Sequence, residues 1–237
     1  MFIPILTGLL ATGGGPKIFD PTSPPGTPYA GGYYAGQIND GGVIYNLIIS
    51  PRASGYNGTI IRKNATTADP TACQTLTNGL AATQAMAALG ATVYPAASFC
   101  TGLSIGGYTD WYLAARDEWE IMYRAFKPDS TSNVTLVKTA GGFGSDGTGS
   151  GANANSVPTH PANTTTNPTT TTAGTTWTAV TTTSERLTAL PYITSSTFTT
   201  GKYWQSTTYG GQQSMTNTIT GSAVRAIRRV RADALIV

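Results

Sequence analysis

The sequence predicts an α+β domain built from short antiparallel strands, two to three helices and long ordered loops. Only 11% of its 237 residues are charged, whereas 28 are Gly and 14 are Pro, a composition that favours turns and strands over a helical bundle. Residues 32–49 contain two β-rich runs around a glycine turn. Residues 116–126 carry aromatic and apolar side chains at helical spacing.

Residues 1–30 are predicted to form an extended anchoring arm. Glycines and prolines are concentrated between residues 11 and 31, where they prevent a helix or a central strand. The first ten residues are apolar, and we expect them to anchor the chain in an assembly; the alternatives are a signal segment or a strand within the domain. The expected anchor residues are Met1, Phe2, Ile3, Ile5, Leu6, Leu9 and Leu10.

A hairpin and three helices follow the arm. Asn39, Asp40, Gly41 and Gly42 form the turn of the hairpin, which Pro51 closes. Helices are predicted at three places, 80–89, 95–103 and about 116–126. A proline begins the second helix and another stops the third, since proline is tolerated in a first turn and disrupts the interior.

Residues 129–200 are predicted to be a Thr/Gly-rich insertion within a domain that spans 31–231. Threonine tracts at 164–166, 169–172 and 181–183 leave few aliphatic side chains for a core. This insertion either packs on the domain or is held by neighbouring subunits. Three short strands separated by glycine turns are expected between 202 and 230, and residues 232–237 form a tail.

The chain contains no recognisable set of residues for catalysis or metal binding. A structural zinc site takes four nitrogen or sulfur ligands, and the chain has one His and two Cys. A nucleophilic Cys needs a base or a positive neighbour, whereas Cys73 and Cys100 have no nearby His in sequence. We expect two buried thiols, with a disulfide as the main alternative. The sequence therefore predicts no catalytic residue, no metal and no cofactor, and a protein that is not an enzyme.

The charge balance gives little support for a nucleic-acid or membrane partner. The net charge is +3, and the arginines at 225–231 alternate along a strand without interleaved aromatics. We expect these arginines to pair with the acidic residues at 110–120. No apolar run reaches the ~18 residues that are needed to span a bilayer. The sequence therefore predicts neither nucleic-acid binding nor membrane insertion.

Three motifs, in order, resemble those of one known family. Gly106-Gly107-Tyr108-Thr109-Asp110-Trp111 lies between two predicted helices, Tyr203-Trp204-Gln205-Ser206-Thr207-Thr208 follows the insertion, and Val224-Arg225-Ala226-Ile227-Arg228-Arg229 closes the domain. With the hairpin at 32–51, these motifs resemble the Lcl-like C-terminal domain of bacterial surface proteins and phage virion proteins, over about residues 31–231.

The resemblance implies a C-type-lectin-like fold, related in shape to formylglycine-generating enzymes and phage variable adhesins. In that fold, Trp111, Tyr203 and Trp204 belong to the core, as does Trp119 by its helical spacing. Asp110, Arg225 and Arg228 are expected to form structural ion pairs. The chain departs from the family at Ala114 and Ala115, and it lacks the formylglycine cysteine pair and the Glu-Pro-Asn motif of calcium-dependent lectins.

The function that this resemblance predicts is that of a non-enzymatic bacteriophage virion protein, a tail fibre or tip adhesin that binds the host surface. The alternative is a structural head decoration, collar or baseplate subunit. Expected partners are other virion proteins, copies of the chain itself and a host glycan or protein. A trimer is expected by analogy with adhesins. The chain would be made in the host cytoplasm and would be located in the virion. The expected ligand-binding residues, which could equally form an ordinary polar turn, are Tyr209, Gln212, Gln213, Ser214 and Asn217.

Overall fold

Strands dominate the α+β fold of this chain, and four α-helices accompany them in the part that is described. The computed structural model describes residues 17–128, 133, 152–162, 185–207 and 212–236, with the backbone alone at 17, 207, 212–215, 235 and 236. The expected anchor residues between Met1 and Leu10 lie outside these ranges. None of the described helices is long and apolar enough to cross a membrane.

The first sheet contains the predicted hairpin and the last arginine-rich strand. Its strands are β2 (Pro28–Tyr29), β3 (Gly32–Asp40), β4 (Val43–Ile49) and β11 (Ile227–Arg231), in the order β11-β4-β3-β2. A short strand, β6 (Ser156–Val157), pairs with β3. All of these pairings are antiparallel, and a register shift between Tyr34 and Gly36 marks a bulge in β3.

The second sheet combines one strand from the first part of the chain with four strands from residues 191–225. It contains β5 (Tyr56–Ile61), β7 (Pro191–Thr199), β8 (Lys202–Thr207), β9 (Gln212–Asn217) and β10 (Gly221–Arg225), in the order β5-β10-β7-β8-β9. The pairing of β10 with β7 is parallel and the others are antiparallel. Because β10 and β11 are separated by Ala226 alone, the two sheets are joined directly.

The helices lie between and beside the sheets. They are α1 (Arg52–Gly55), α2 (Gly79–Ala87), α3 (Pro95–Thr101) and α4 (Arg116–Phe126), with a 3₁₀ turn at Thr71–Gln74. The side chain of Asn78 caps α2 by accepting from the Ala81 N–H at 3.0 Å. Ala115 precedes α4 and offers no capping side chain, so tertiary contacts satisfy the first turn. Ser196 Oγ accepts from the Arg116 N–H at 3.0 Å, and the Leu76 carbonyl accepts from the Asp117 N–H at 2.9 Å.

Two hydrophobic clusters form the core. One packs α4 against the first sheet, and in it Trp119 stacks on Tyr192 with ring centroids 4.5 Å apart. The other packs α2 and α3 against the second sheet around Trp111 and Tyr203. Trp111, Trp119 and Tyr203 are at most 1% exposed, and Trp204, in edge contact with Phe198, is 8% exposed.

The described parts of the predicted arm and tail contact the domain and each other. Residues 17–30 pack on the domain, because Phe19 is buried and stacks on Tyr29 with ring centroids 4.0 Å apart. The short strand β1 (Lys17–Ile18) pairs with β12 (Leu235–Ile236), within the predicted tail. Residues 17–30 of the predicted arm therefore lie against the domain, where burial of aromatic side chains holds them despite the glycines and prolines.

The predicted insertion ends earlier than expected. β7 begins at Pro191 and is buried from Tyr192 to Thr197, although the sequence there is largely Ser and Thr. These hydroxyls bond within the fold: Ser196 Oγ donates to the Thr75 carbonyl at 2.7 Å, and Thr197 Oγ1 donates to Asp69 at 2.6 Å. A polar strand can occupy a central position because its side chains find partners there.

Candidate binding face

The predicted ligand-binding loop is described only in part. Tyr209 lies outside the described residues, and Gln212, Gln213 and Ser214 are described by backbone alone. Their backbones pair with Thr207, Ser206 and Gln205 in the hairpin of β8 and β9. Asn217 is exposed at the end of β9, opposite Lys202.

The predicted ion pairs involve two separate acidic partners. Asp110 accepts two hydrogen bonds from Arg228, at 2.8 and 3.0 Å, and this bidentate pair fastens the loop before Trp111 to β11. Arg225 pairs instead with Glu185, and its Nε donates to the Ser50 carbonyl at 2.7 Å. The expectation that Arg225 pairs within 110–120 is wrong, because Glu185 enters from the end of the predicted insertion.

An exposed aromatic and a carboxylate are held together beside this ion pair. We use the name platform for Tyr29, Ala30, Gly31, Tyr108, Asp110 and Arg228 together. The Arg228 guanidinium lies 3.8 Å from the centroid of the Tyr108 ring, and its Nη1 donates to the Ala30 carbonyl at 2.9 Å. One buried arginine thus fixes the aromatic ring, the carboxylate and the neighbouring backbone.

Two turns pack closely against each other at the platform, and both contain residues with positive φ. Ala30 and Gly31 have φ of +47° and +82°, and Gly106 and Gly107 have φ of +60° and +83°. A Cβ at Gly31 would lie 2.7 Å from Tyr108 Cδ2, and one at Gly106 would lie 2.7 Å from Gly31 Cα. An Ala with positive φ is strained, and such strain is concentrated at functional sites.

The platform borders a shallow groove that is open to solvent. Tyr108 is 38% exposed, and the Asp110 side chain is 47% exposed although it is paired. The groove has a volume of about 550 Å³, within the range of small-ligand sites. It is lined by Pro28, Tyr29, Ala30, Gly31, Gly32, Tyr33 and Pro51.

The platform is close to electrically neutral. The charges of Asp110 and Arg228 cancel at the distance of a salt bridge, 2.8 Å. Burial raises the pKa of Tyr29 above its ordinary value, although a hydrogen bond from Asn46 and the nearby Arg228 oppose the shift. Tyr29 is therefore protonated at neutral pH, and the face offers hydroxyl and carboxylate groups without an excess charge.

A second groove is lined by His160 and Arg124, which both contact the buried carboxylate of Glu120. Glu120, on α4, accepts from Asn153 Nδ2 at 3.0 Å, lies 2.8 Å from His160 Nδ1 and pairs with Arg124. His160, the one histidine, thereby fastens the segment 152–162 to α4 and lines a groove of about 420 Å³. This arrangement positions the segment, and His160 is half-buried.

The two cysteines are buried as free thiols, 0% exposed. Burial raises the pKa of Cys73 to about 11 and raises that of Cys100 further still. Both thiols are therefore protonated at neutral pH and are poor nucleophiles. Within the described ranges, no group of three or more His, Cys, Asp or Glu side chains could hold a metal ion.

Sequence reasoning assigned Asp110 a structural role and did not identify Tyr108 as part of a binding face. The signal that could have found it is the pair Gly106-Gly107, which predicts a turn that exposes the following side chain. Nothing in the sequence indicates that Tyr29 and Ala30 lie beside Tyr108, because the contact joins positions about 80 residues apart.

Comparison of the chain with models of known families, with curated proteins and with solved structures finds no match.

Proposed function

We propose that the chain is a non-enzymatic bacteriophage virion protein, a tail fibre or tip adhesin whose C-type-lectin-like domain binds the host surface. The observation that carries this proposal is the platform, where an exposed Tyr108 and a half-exposed Asp110 are held by one buried arginine. A rigid aromatic beside a polar group is the arrangement that binding faces use, because little side-chain entropy is lost on binding.

The lectin-like fold is supported by where the three motifs lie. The first motif supplies the platform loop and the buried Trp111, the second forms β8, and the third joins β10 to β11. The pairing of β1 with β12 brings the two ends of the described domain together. Binding loops on such a scaffold are positioned by the sheets beneath them.

The titratable groups favour a binding role over catalysis, because they are already engaged within the fold. Asp69, Glu118 and Glu185 each accept from buried arginines or backbone N–H groups, and both thiols are protonated. Groups engaged in this way stabilise the fold, whereas a general base must be free to reach a substrate proton.

A structural role as a head decoration, collar or baseplate subunit is the second candidate, and an exposed apolar groove favours it. Ile18 and Ile44 are 55% and 37% exposed, and they line a groove of about 460 Å³ with Arg231 and Asp233 at its rim. Exposed aliphatic side chains rimmed by charges are typical of protein contacts. This groove adjoins the pairing of β1 with β12, and in the sequence the apolar residues 1–10 precede β1.

Competition for host adsorption tests the proposal. We expect the purified full chain to reduce phage adsorption to host cells in a dose-dependent manner, and a Tyr108→Ala chain to lose this effect. The copy number in the particle separates the two candidates, since a few copies at the tail end favour the adhesin and hundreds on the shell favour decoration. Full competition by the Tyr108→Ala chain would contradict a binding role for the platform.

A further inference from the structure

We propose that the platform binds a neutral saccharide, with a sugar ring against Tyr108 and its hydroxyls on the Asp110 carboxylate. This inference rests on the proposed function, because it names the ligand class of the same face. Four features of the platform carry it: its charge, its free acceptors, its fixed ring and the adjoining groove.

The charge of the platform favours an uncharged ligand. Arg228 is committed to Asp110 through two hydrogen bonds at 2.8 and 3.0 Å and to the Ala30 carbonyl at 2.9 Å. Its side chain is only 8% exposed, so its positive charge is not presented to an anion in solution. A charged ligand would have to break or share this pair and would lose its own hydration, whereas a neutral polyol would not.

The Asp110 carboxylate retains acceptors that face solvent. An ionised carboxylate has about four lone-pair sites, and Arg228 uses one on each oxygen. The side chain is 47% exposed, so the remaining sites can accept from ligand hydroxyls. Adjacent hydroxyls on a sugar ring are donors with a spacing that suits the two oxygens of one carboxylate, and these bonds are charge-assisted.

The Tyr108 ring offers a prepared apolar surface next to those acceptors. Its centroid lies 3.8 Å from the Arg228 guanidinium, which covers one face, while the residue remains 38% exposed. The C–H face of a pyranose packs on such a ring, and the phenol hydroxyl adds a hydrogen bond at its edge. Since the ring is already fixed, binding orders few additional side-chain torsions.

The adjoining groove indicates that the ligand extends beyond one sugar unit. The groove continues from Gly31, which touches Tyr108, towards Tyr33 and Pro51. Its volume of about 550 Å³ and its walls of tyrosine, proline and exposed backbone suit further rings of an oligosaccharide.

Titration of the full chain with saccharides tests the inference, and Tyr45 provides a matched control. The Arg229 guanidinium lies 4.1 Å from the Tyr45 ring and pairs with Asp40 at 3.0 Å, which repeats the Tyr–Arg–Asp arrangement away from the groove. The probes are neutral methyl glycosides and neutral di- and trisaccharides, with sialyllactose and heparin oligosaccharides as charged comparisons. Binding is measured by calorimetry and saturation-transfer NMR for the wild type, Tyr108→Ala, Asp110→Asn and Tyr45→Ala.

We expect at least one neutral saccharide to bind the wild type and Tyr45→Ala equally, and to bind Tyr108→Ala and Asp110→Asn about tenfold more weakly. Shift mapping in the wild type, which needs no variant to fold, should place the ligand at residues 29–31 and 108–110. The inference is overturned if only charged glycans bind, if no neutral saccharide binds, or if the shifts map elsewhere.

The same variants separate this inference from the proposed function. Loss of host-cell binding in Tyr108→Ala without any saccharide binding by the wild type would overturn the ligand class and leave the adhesin proposal standing. Saccharide binding at Tyr108 with host-cell binding unchanged in Tyr108→Ala would support the site and overturn the adhesin proposal.

Discussion

Buried charged side chains make the stability of this fold depend on pH. Asp69 accepts from Arg62 at 2.6 Å, from Tyr94 at 3.0 Å and from Thr197 at 2.6 Å, and lies 3.3 Å from Lys63 Nζ. Burial alone would raise the pKa of Asp69, but Arg62 and these hydrogen bonds outweigh it and lower the pKa below its ordinary value. This carboxylate therefore stabilises the fold above about pH 4, and the stabilisation is lost as the pH falls through the lowered pKa.

Asp69→Asn should destabilise the protein by about 3–5 kcal/mol, because it leaves Arg62 and Lys63 buried beside a neutral amide. Urea unfolding at pH 7 measures the change. Asp233→Asn is the control, since Asp233 pairs with Arg231 at 2.8 Å in an exposed position, and its loss should leave the midpoint unchanged. Equal midpoints for the two variants would contradict the account of the buried pair.

Glu118 has the opposite effect on the pH dependence of stability. Burial raises its pKa to about 7, even though Ala115 N–H, Gly79 N–H and Tyr112 hydroxyl donate to it at 2.7, 3.1 and 2.8 Å. Because the folded state binds this proton more tightly than the unfolded chain, the contribution of Glu118 to the free energy of unfolding is greatest below about pH 4.5. It is lost as the pH rises through about 7.

Glu118→Gln should remove this pH dependence. Between pH 4.5 and 7.5, the free energy of unfolding of the wild type relative to the variant should fall by up to about 3 kcal/mol. Urea titrations across that range measure the difference. Parallel curves for the two proteins would show that Glu118 titrates as it does in the unfolded chain.

At the scale of elements, close contacts decide where the helices lie. Gly79 begins α2, and a Cβ there would lie 2.3 Å from the Leu113 carbonyl oxygen and 2.5 Å from Glu118 Oε2. The helix can approach the strand-like segment before α4 only because this position has no side chain.

Gly79→Ala should destabilise the protein by about 2 kcal/mol through overpacking, although alanine has the better helix propensity. Ala81→Gly, at an exposed position of the same helix, should cost about 1 kcal/mol through propensity alone. Thermal unfolding distinguishes the two effects. A stabilised Gly79→Ala protein would mean that the close approach to Leu113 is not required.

The elements with local signals could be predicted from the sequence, and those that depend on distant contacts could not. The hairpin and α4 are encoded by a glycine turn and by helical spacing, and both are present where they were expected. β7 was missed because its buried Ser and Thr side chains depend on Asp69 and Thr75 for partners, and Arg62 donates to its Ser195 carbonyl. The ion pair of Asp110 with Arg228 was expected, whereas the neighbouring Tyr29 and Ala30 come from the packing of residues 17–30.

At the scale of the whole molecule, the proposed role is that of a subunit in an assembly. The apolar groove at Ile18 and Ile44 lies beside the pairing of β1 with β12, and the sequence that precedes β1 is rich in leucine and isoleucine. Clustered subunits would also raise the avidity of a weak binding face for a surface that carries many ligands.

The full chain should therefore be an oligomer in solution, with a trimer expected, and its mass by light scattering should be a multiple of 24.6 kDa. Removal of residues 1–16 should yield the monomer, because this segment contains the apolar residues that are expected to anchor the chain in the assembly. A full-length chain that is monomeric at micromolar concentration would contradict the assembly role.

Binding of the purified full chain to host cells is the measurement that tests the central claim most directly. Tyr108→Ala and Tyr45→Ala each remove a tyrosine that lies on a paired arginine, and only the first lies at the platform. We predict that Tyr108→Ala reduces cell binding at least tenfold and that Tyr45→Ala binds as the wild type does. Equal binding by all three proteins would contradict the claim that this chain binds the host through the platform.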